Sequence, residues 1–152
     1  MQKTYTPVSA DKAVKSVKSG DRIHLHSVAC TPTILLEALM KRADELSDVT
    51  IQHIQTEGPA PYAEENGKYM GTFELESFFV GGNVRKATQA GYADYIPVFL
   101  SETQRLIREE VLPIDVAMVQ ISPPDQHGWV SIGTSVDCSK AAIEKANTVI
   151  AV

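Results

Sequence analysis

Apolar and polar positions follow two rhythms along the chain, one with the 3.6-residue period of a helix and one with the two-residue period of a strand. After Ser9, residues Ala13, Val14 and Val17 fall on one helical face and Gly20 supplies a stop, which predicts a short helix over residues 10–18. Alternation in RIHLH predicts a strand over residues 22–26. In TPTILLEALMKRADEL, Thr31 is placed to cap a helix with Pro32 at its first position, and Ile34, Leu35, Ala38, Leu39 and Leu46 lie near one face. A second strand is expected over 49–54, then a Gly-, Pro- and Glu-rich loop over 56–72. The apolar run 75–80 leads through Gly81-Gly82-Asn83 into a helix over 84–90, and 95–100 reads as another strand. SETQRLIREEVL predicts a helix capped by Ser101 and closed before Pro113. The continuous apolar run over 115–122 suits the middle of a parallel sheet. A helix in SKAAIEKAN and a last strand over 148–152 complete the pattern.

Strands alternating with helices, joined by connections of crossover length, predict an α/β fold with a largely parallel twisted sheet and helices on both faces. Ligands of such sheets sit at the carboxyl ends of the strands. The segments to inspect are therefore HSVACTP, QTEGPAPY, VGGNVR, SETQ and SPPDQHGW. The chain stops inside the apolar run TVIAV with no polar tail, which is the pattern expected of a truncated polypeptide. There is no internal repeat or low-complexity segment.

At 152 residues the chain has the length of one domain and can bury a core without disulfides or metal. Its 43% hydrophobic and 22% charged residues match globular rather than disordered usage. A net charge of −5, with Lys41-Arg42 and Arg85-Lys86 as the longest basic runs, argues against nucleic acid as a partner. No stretch approaches the roughly 20 apolar residues of a membrane span, and the amino terminus has no apolar run of signal-peptide length. The expectation is a cytoplasmic protein with no membrane partner. Cys30 and Cys138 lack metal-ligand spacing, so two reduced thiols and no metal site are expected.

Three segments carry a resemblance: SGDRIHLHSVACTPTILLEAL, SFFVGGNVRKATQAGYADYIPVFLSETQRLI and DVAMVQISPPDQHGWVSIGTSVDCSKAAIEKANTVIAV. Together they resemble the acetyl-CoA hydrolase/transferase family, the combination of ADYIPVFLSE with SPPDQHG being the most specific part, and the likeness extends over essentially the whole chain. The resemblance implies a CoA-transferase-type (NagB/RpiA-like) domain, the first of two related α/β domains. It implies an enzyme that moves CoA between an acyl-CoA and a short-chain carboxylate such as acetate, butyrate or 4-hydroxybutyrate. In that mechanism a glutamate attacks the thioester and becomes a glutamyl-CoA thioester. That glutamate belongs to the second domain, so no catalytic residue is assigned here and Glu57, Glu64 and Glu76 are not given the role. Coenzyme A enters as substrate, with no permanently bound cofactor, and the family's dimers imply a homodimer or higher homo-oligomer. An acyl-CoA hydrolase of the same family and a non-catalytic α/β small-molecule binding module are the alternatives. The isolated chain is expected to be inactive.

His26 is the first candidate for substrate binding, since it ends a strand and can donate to a carboxylate or oxyanion, and its position matches a histidine in 4-hydroxybutyrate-type members. The alternative is a histidine satisfied by nearby backbone. Gly81, Gly82 and Asn83 can present backbone N–H groups to an oxygen, or simply make a tight turn. Glu57 can line the pocket or be solvated. SPPDQHGW reads as a rigid supporting loop, with His127 and Trp129 as packing or surface residues. Cys30 and Cys138, without a paired histidine, read as buried or half-buried thiols.

Overall fold

A computed structural model describes residues 7–64 and 67–152. Residues 1–6 of the amino-terminal segment and residues 65–66 of the expected 56–72 loop lie outside the described residues. The alternating and continuous apolar runs form six strands: β1 (Arg22–Leu25), β2 (Val49–His53), β3 (Phe73–Ser77), β4 (Asp94–Tyr95), β5 (Val116–Val119) and β6 (Thr148–Ala151). They make one sheet in the order β4-β3-β2-β1-β5-β6, with every pairing parallel. Successive strand residues point to opposite faces, so each strand feeds two cores. Ile23, Leu25, Ile51, Leu75, Met118 and their neighbours pack against α1 (Ala10–Ala13), α2 (Thr33–Met40) and α3 (Arg85–Ala90). Ala117 and Val119 face the other way, onto Ile107 of α4 (Leu100–Arg108) and Ala141 and Ala142 of α5 (Ser139–Lys145). The expected α/β architecture, with helices covering both faces of a parallel sheet, is the one observed.

Several boundaries differ from the expectation. The first helix is α-helical only over Ala10–Ala13 and tightens into a 3-10 turn, Val14–Ser16. The third strand begins at Phe73, where FELES already alternates buried and more exposed positions. The expected strand over 95–100 is limited to Asp94–Tyr95. Ile96 N–H still reaches the Ser77 carbonyl at 2.9 Å, but Pro97 has no N–H to continue the ladder. Phe99 then takes the N-cap position of α4, which leaves Ser101 inside the helix rather than capping it. Thr31 does not cap α2 either. Pro32 occupies the N-cap, and the Thr31 hydroxyl donates to the Val28 carbonyl at 2.7 Å while accepting the Glu57 N–H at 3.0 Å.

The strand order reverses between β1 and its two neighbours, β2 on one side and β5 on the other. Connections leave such a sheet in opposite directions at this point, which is where the ligands of doubly wound folds bind.

Candidate functional site at the carboxyl ends of the strands

The loops after β1, β2 and β3 are bound to one another by backbone and side-chain hydrogen bonds. Val28 pairs with Thr56 as an isolated parallel bridge, and its N–H donates to the Gln55 carbonyl at 2.8 Å. Val28 has φ 51°, a left-handed conformation that is strained for a β-branched residue. The surroundings fix it: its carbonyl accepts from both the N–H and the hydroxyl of Thr31. Backbone strain of this kind persists only where neighbours over-determine it, and it gathers at functional loops. Sequence reasoning missed Val28, because HSVACTP has no glycine to mark a left-handed turn.

Across the next loop, Asn83 donates from Nδ2 to the Thr56 carbonyl at 3.0 Å, to Thr56 Oγ1 at 3.1 Å and to the Gly58 carbonyl at 3.1 Å. It thereby stitches the turn after β3 to the loop after β2. Gly81 is buried because the two loops approach closely: a Cβ there would lie 3.1 Å from Asn83 Oδ1 and 3.2 Å from Gln55 Cγ. Gly82 is exposed and has open space around it. Among the described residues, no backbone acceptor pairs with the N–H of Gly82 or Asn83. Glu57 is exposed beside this turn. Four of the sequence candidates, Glu57, Gly81, Gly82 and Asn83, are thus brought together.

His26 belongs to a different network, at the reversal between β1 and β5. It is fully buried, its Nδ1 accepts the Gln120 N–H at 3.1 Å, and its Nε2 lies 2.7 Å from the Ser135 carbonyl. The first bond requires a lone pair on Nδ1, so the proton sits on Nε2 and is donated to Ser135. Both nitrogens are engaged within the chain, and contact with a substrate requires one of them to be released. His26 ties the long connection after β5 to the tip of β1. Cys30 sits under the same connection, its Sγ 3.8 Å from Thr134 Oγ1 and 3.9 Å from the Ile132 carbonyl. Burial pushes its thiol up, but donors on Ser135 and Thr134 outweigh that and hold it below the ordinary value.

The SPPDQHGW loop is closed by Asp125, whose Oδ1 accepts the N–H of His127 at 2.8 Å and of Trp129 at 2.9 Å. Gly128 takes φ 82° at the turn. The Asp-Gly turn that the spacing predicts is present, and it leaves Trp129 76% exposed. Val28, Phe79, Phe99 and Leu100 are also exposed in segments that follow strands.

Two further clusters lie on the sheet itself. Glu76 accepts from Arg22 Nη2 and from Gln52 Nε2, the latter at 2.7 Å, which gives it a structural place. His24, Asp137 and Cys138 bring potential metal ligands within 4.8 Å of one another. Their contacts meet at the first residue of α5: Ser139 donates its N–H and its hydroxyl to Asp137 Oδ1 at 3.0 Å each, and His24 Nε2 lies 3.1 Å from Ser139 Oγ. Burial, followed by the Asp137 charge, pushes the Cys138 thiol up.

A parallel sheet with its order reversed beside β1, sealed by helices on both faces and carrying knitted loops at the strand ends, defines a doubly wound α/β domain. Residues 1–152 match the acetyl-CoA hydrolase/transferase N-terminal domain, and the chain belongs to that family. It is 39% identical over 145 residues to the succinyl-CoA:acetate/propanoyl-CoA:succinate CoA transferase of Fasciola hepatica, covering 94% of this chain and 30% of that protein. Against the 4-hydroxybutyrate coenzyme A transferase of Clostridium kluyveri it is 38% identical over 144 residues, covering 95% of this chain and 33% of the relative. The chain therefore spans about a third of the length of these relatives. Among solved structures, RipA from Yersinia pestis superimposes with a TM-score of 0.82 at 26% identity, covering 95% of this chain and 35% of RipA. A 4-hydroxybutyrate CoA-transferase from Porphyromonas gingivalis gives 0.66 at 26% identity, covering 95% of this chain and 32% of that one.

Proposed function

We propose that this chain is the amino-terminal, acid-binding part of a CoA-transferase that moves CoA between an acyl-CoA and a short-chain carboxylate such as acetate, butyrate or 4-hydroxybutyrate. The observation that carries the reading is the family match over the whole chain, together with relatives that are CoA transferases. The attacking glutamate comes from a second domain that follows in the longer polypeptide. Its carboxylate oxygen adds to the thioester carbonyl and CoA thiolate leaves, giving an acyl-glutamyl anhydride. The thiolate then attacks the glutamyl carbonyl and releases the first acid, so the thioester bond is conserved on the enzyme. An incoming carboxylate reverses both steps and leaves as the new acyl-CoA.

In this scheme the Gly82 and Asn83 N–H groups supply donors for a carboxylate or a developing oxyanion, with Gly81 allowing the close approach of the two loops. Glu57 borders the acid pocket. His26 acts from behind, holding the connection after β5 against β1. The exposed Val28, Phe79, Phe99, Leu100 and Trp129 suit burial against the second domain, which shields the reacting atoms from water. No helix among the described residues is long and apolar enough to cross a membrane, and the reading places the enzyme in the cytoplasm as a homodimer or higher homo-oligomer.

The test is to incubate the full-length enzyme with an acyl-CoA, with and without acetate, and follow thioester loss and acetyl-CoA formation. The account expects acyl-CoA to turn over beyond one equivalent of enzyme only with acetate, in step with acetyl-CoA appearing. Rapid thioester loss without any acid would identify a hydrolase instead.

A further inference from the structure

The turn after β3 is held by more than Asn83. Thr56 Oγ1, which accepts from Asn83, lies 3.0 Å from the Tyr62 hydroxyl, and that hydroxyl lies 3.0 Å from His53 Nε2. His53, Thr56 and Tyr62 are buried, and the His53 and Tyr62 rings meet edge to face at 5.8 Å. We propose that Tyr62 is a positioning residue, the centre of a relay His53–Tyr62–Thr56–Asn83 that fixes the Gly81–Asn83 turn in the geometry that leaves its N–H groups available to a substrate oxygen. The proposal rests on the transferase reading for what the turn binds, but the relay itself is a matter of hydrogen bonding.

The proton inventory fixes the relay at its Asn83 end. Asn83 Nδ2 brings donors only, so Thr56 Oγ1 accepts from it, and a second hydrogen bond joins the Thr56 and Tyr62 hydroxyls. The next bond joins the Tyr62 hydroxyl to His53 Nε2, its donor set by the tautomer of a neutral His53 ring. Burial holds His53 in that neutral form, lowering its pKa to about 4, and burial likewise raises Tyr62 to about 12, so both groups keep the protons the relay requires. A phenylalanine at 62 would fill the same volume without burying a hydroxyl. The hydroxyl contributes direction: it aligns Thr56, and Thr56 with its own carbonyl aligns Asn83. Chains of this kind polarise and rigidify one another in a low-dielectric interior.

The experiment uses the full-length enzyme with Tyr62→Phe, Thr56→Val and Thr56→Ser. Two readouts are taken: CoA-transfer kinetics and the NMR signals of the Asn83 side-chain NH₂. The relay predicts that Tyr62→Phe and Thr56→Val lower kcat about tenfold while the acyl-CoA KM stays within about twofold, a loss of transition-state positioning worth about 1.4 kcal/mol. Thr56→Ser, which keeps the hydroxyl, retains kcat. In both damaging variants the Asn83 NH₂ signals move and exchange faster. Wild-type kcat in Tyr62→Phe and Thr56→Val, or unchanged Asn83 signals in either, overturns the relay. If the wild type moves no CoA, the functional reading fails, and the Asn83 signals still decide the relay on their own.

Discussion

Lowering the pH from 7 to 4 should remove most of the stability of this domain, through His24 and His53. His24 is fully buried on the α5 side of the sheet, and burial, offset in part by Asp137 and reinforced by His26 and His53, lowers its pKa from the ordinary 6.5 to about 4. His53 is buried on the opposite face, and burial takes it to about 4 as well. The folded state disfavours the charged ring, so the unfolded chain takes up protons first as pH falls. The stability these rings contribute is fully present above about 6.5 and is lost as pH falls toward 4. At about 1.4 kcal/mol per pH unit, the gap from 6.5 to about 4 is roughly 3 kcal/mol for each histidine. The pair totals about 6–7 kcal/mol, comparable to the whole stability of a typical domain, about 5–15 kcal/mol. Urea titrations at pH 7, 6, 5 and 4 should show the wild type losing stability with a slope near 2.7 kcal/mol per pH unit in the window. Carboxylates also titrate there, so the informative quantity is the difference from His24→Gln/His53→Gln, which should lose most of the slope between pH 6.5 and 4. Parallel curves for wild type and double variant would refute the assignment.

Other outcomes follow from single contacts. Gly81→Ala should lower thermal stability and disturb the Asn83 contacts, because the added Cβ meets Asn83 and Gln55 at 3.1 and 3.2 Å, whereas Gly82→Ala should melt like the wild type; equal melting temperatures would remove the close-approach argument. His26→Ala leaves the Gln120 N–H and the Ser135 carbonyl without their partner and opens a cavity, so it should cost roughly 3 kcal/mol in urea unfolding. A change within about 0.5 kcal/mol would show that those bonds do not hold the connection after β5. Iodoacetamide with peptide mapping near pH 8 should label Cys30 well before Cys138, since donors lower the first thiol and burial raises the second; the reverse order would contradict both environments.

The architecture was legible because its strands are apolar runs of the right length separated by helical periodicity. β1, β2, β5 and β6 fall within the stretches that alternation or continuous hydrophobicity marks out. β4 was overextended for an identifiable reason: YIPVFL is apolar enough for a strand, but Pro97 ends the ladder and Phe99 turns outward, 76% exposed. Its hydrophobicity answers to a surface rather than to the core. The candidate site was chosen by the rule that ligands gather at strand ends, and the structure brings the Gly81–Asn83 turn and Glu57 together there. The partners were not legible. Nothing in the local sequence joins Asn83 to Thr56, or His26 to Gln120 and Ser135, 94 and 109 residues away. Tyr62 lies in the Gly-, Pro- and Glu-rich segment after β2, where no local pattern marks it for the interior, yet tertiary packing buries it beside His53. Val28 escaped because its left-handed backbone is imposed by neighbouring loops, not by residue type.

The central claim is that these loops serve a reaction in which the thioester passes through the enzyme. Intact-mass spectrometry of the full-length protein mixed with acyl-CoA tests it most directly. The account predicts a covalently attached CoA that forms with acyl-CoA alone and disappears when acetate is added, with acetyl-CoA released in equal amount. A protein that converts acyl-CoA but never carries CoA, whatever acid is present, would contradict it.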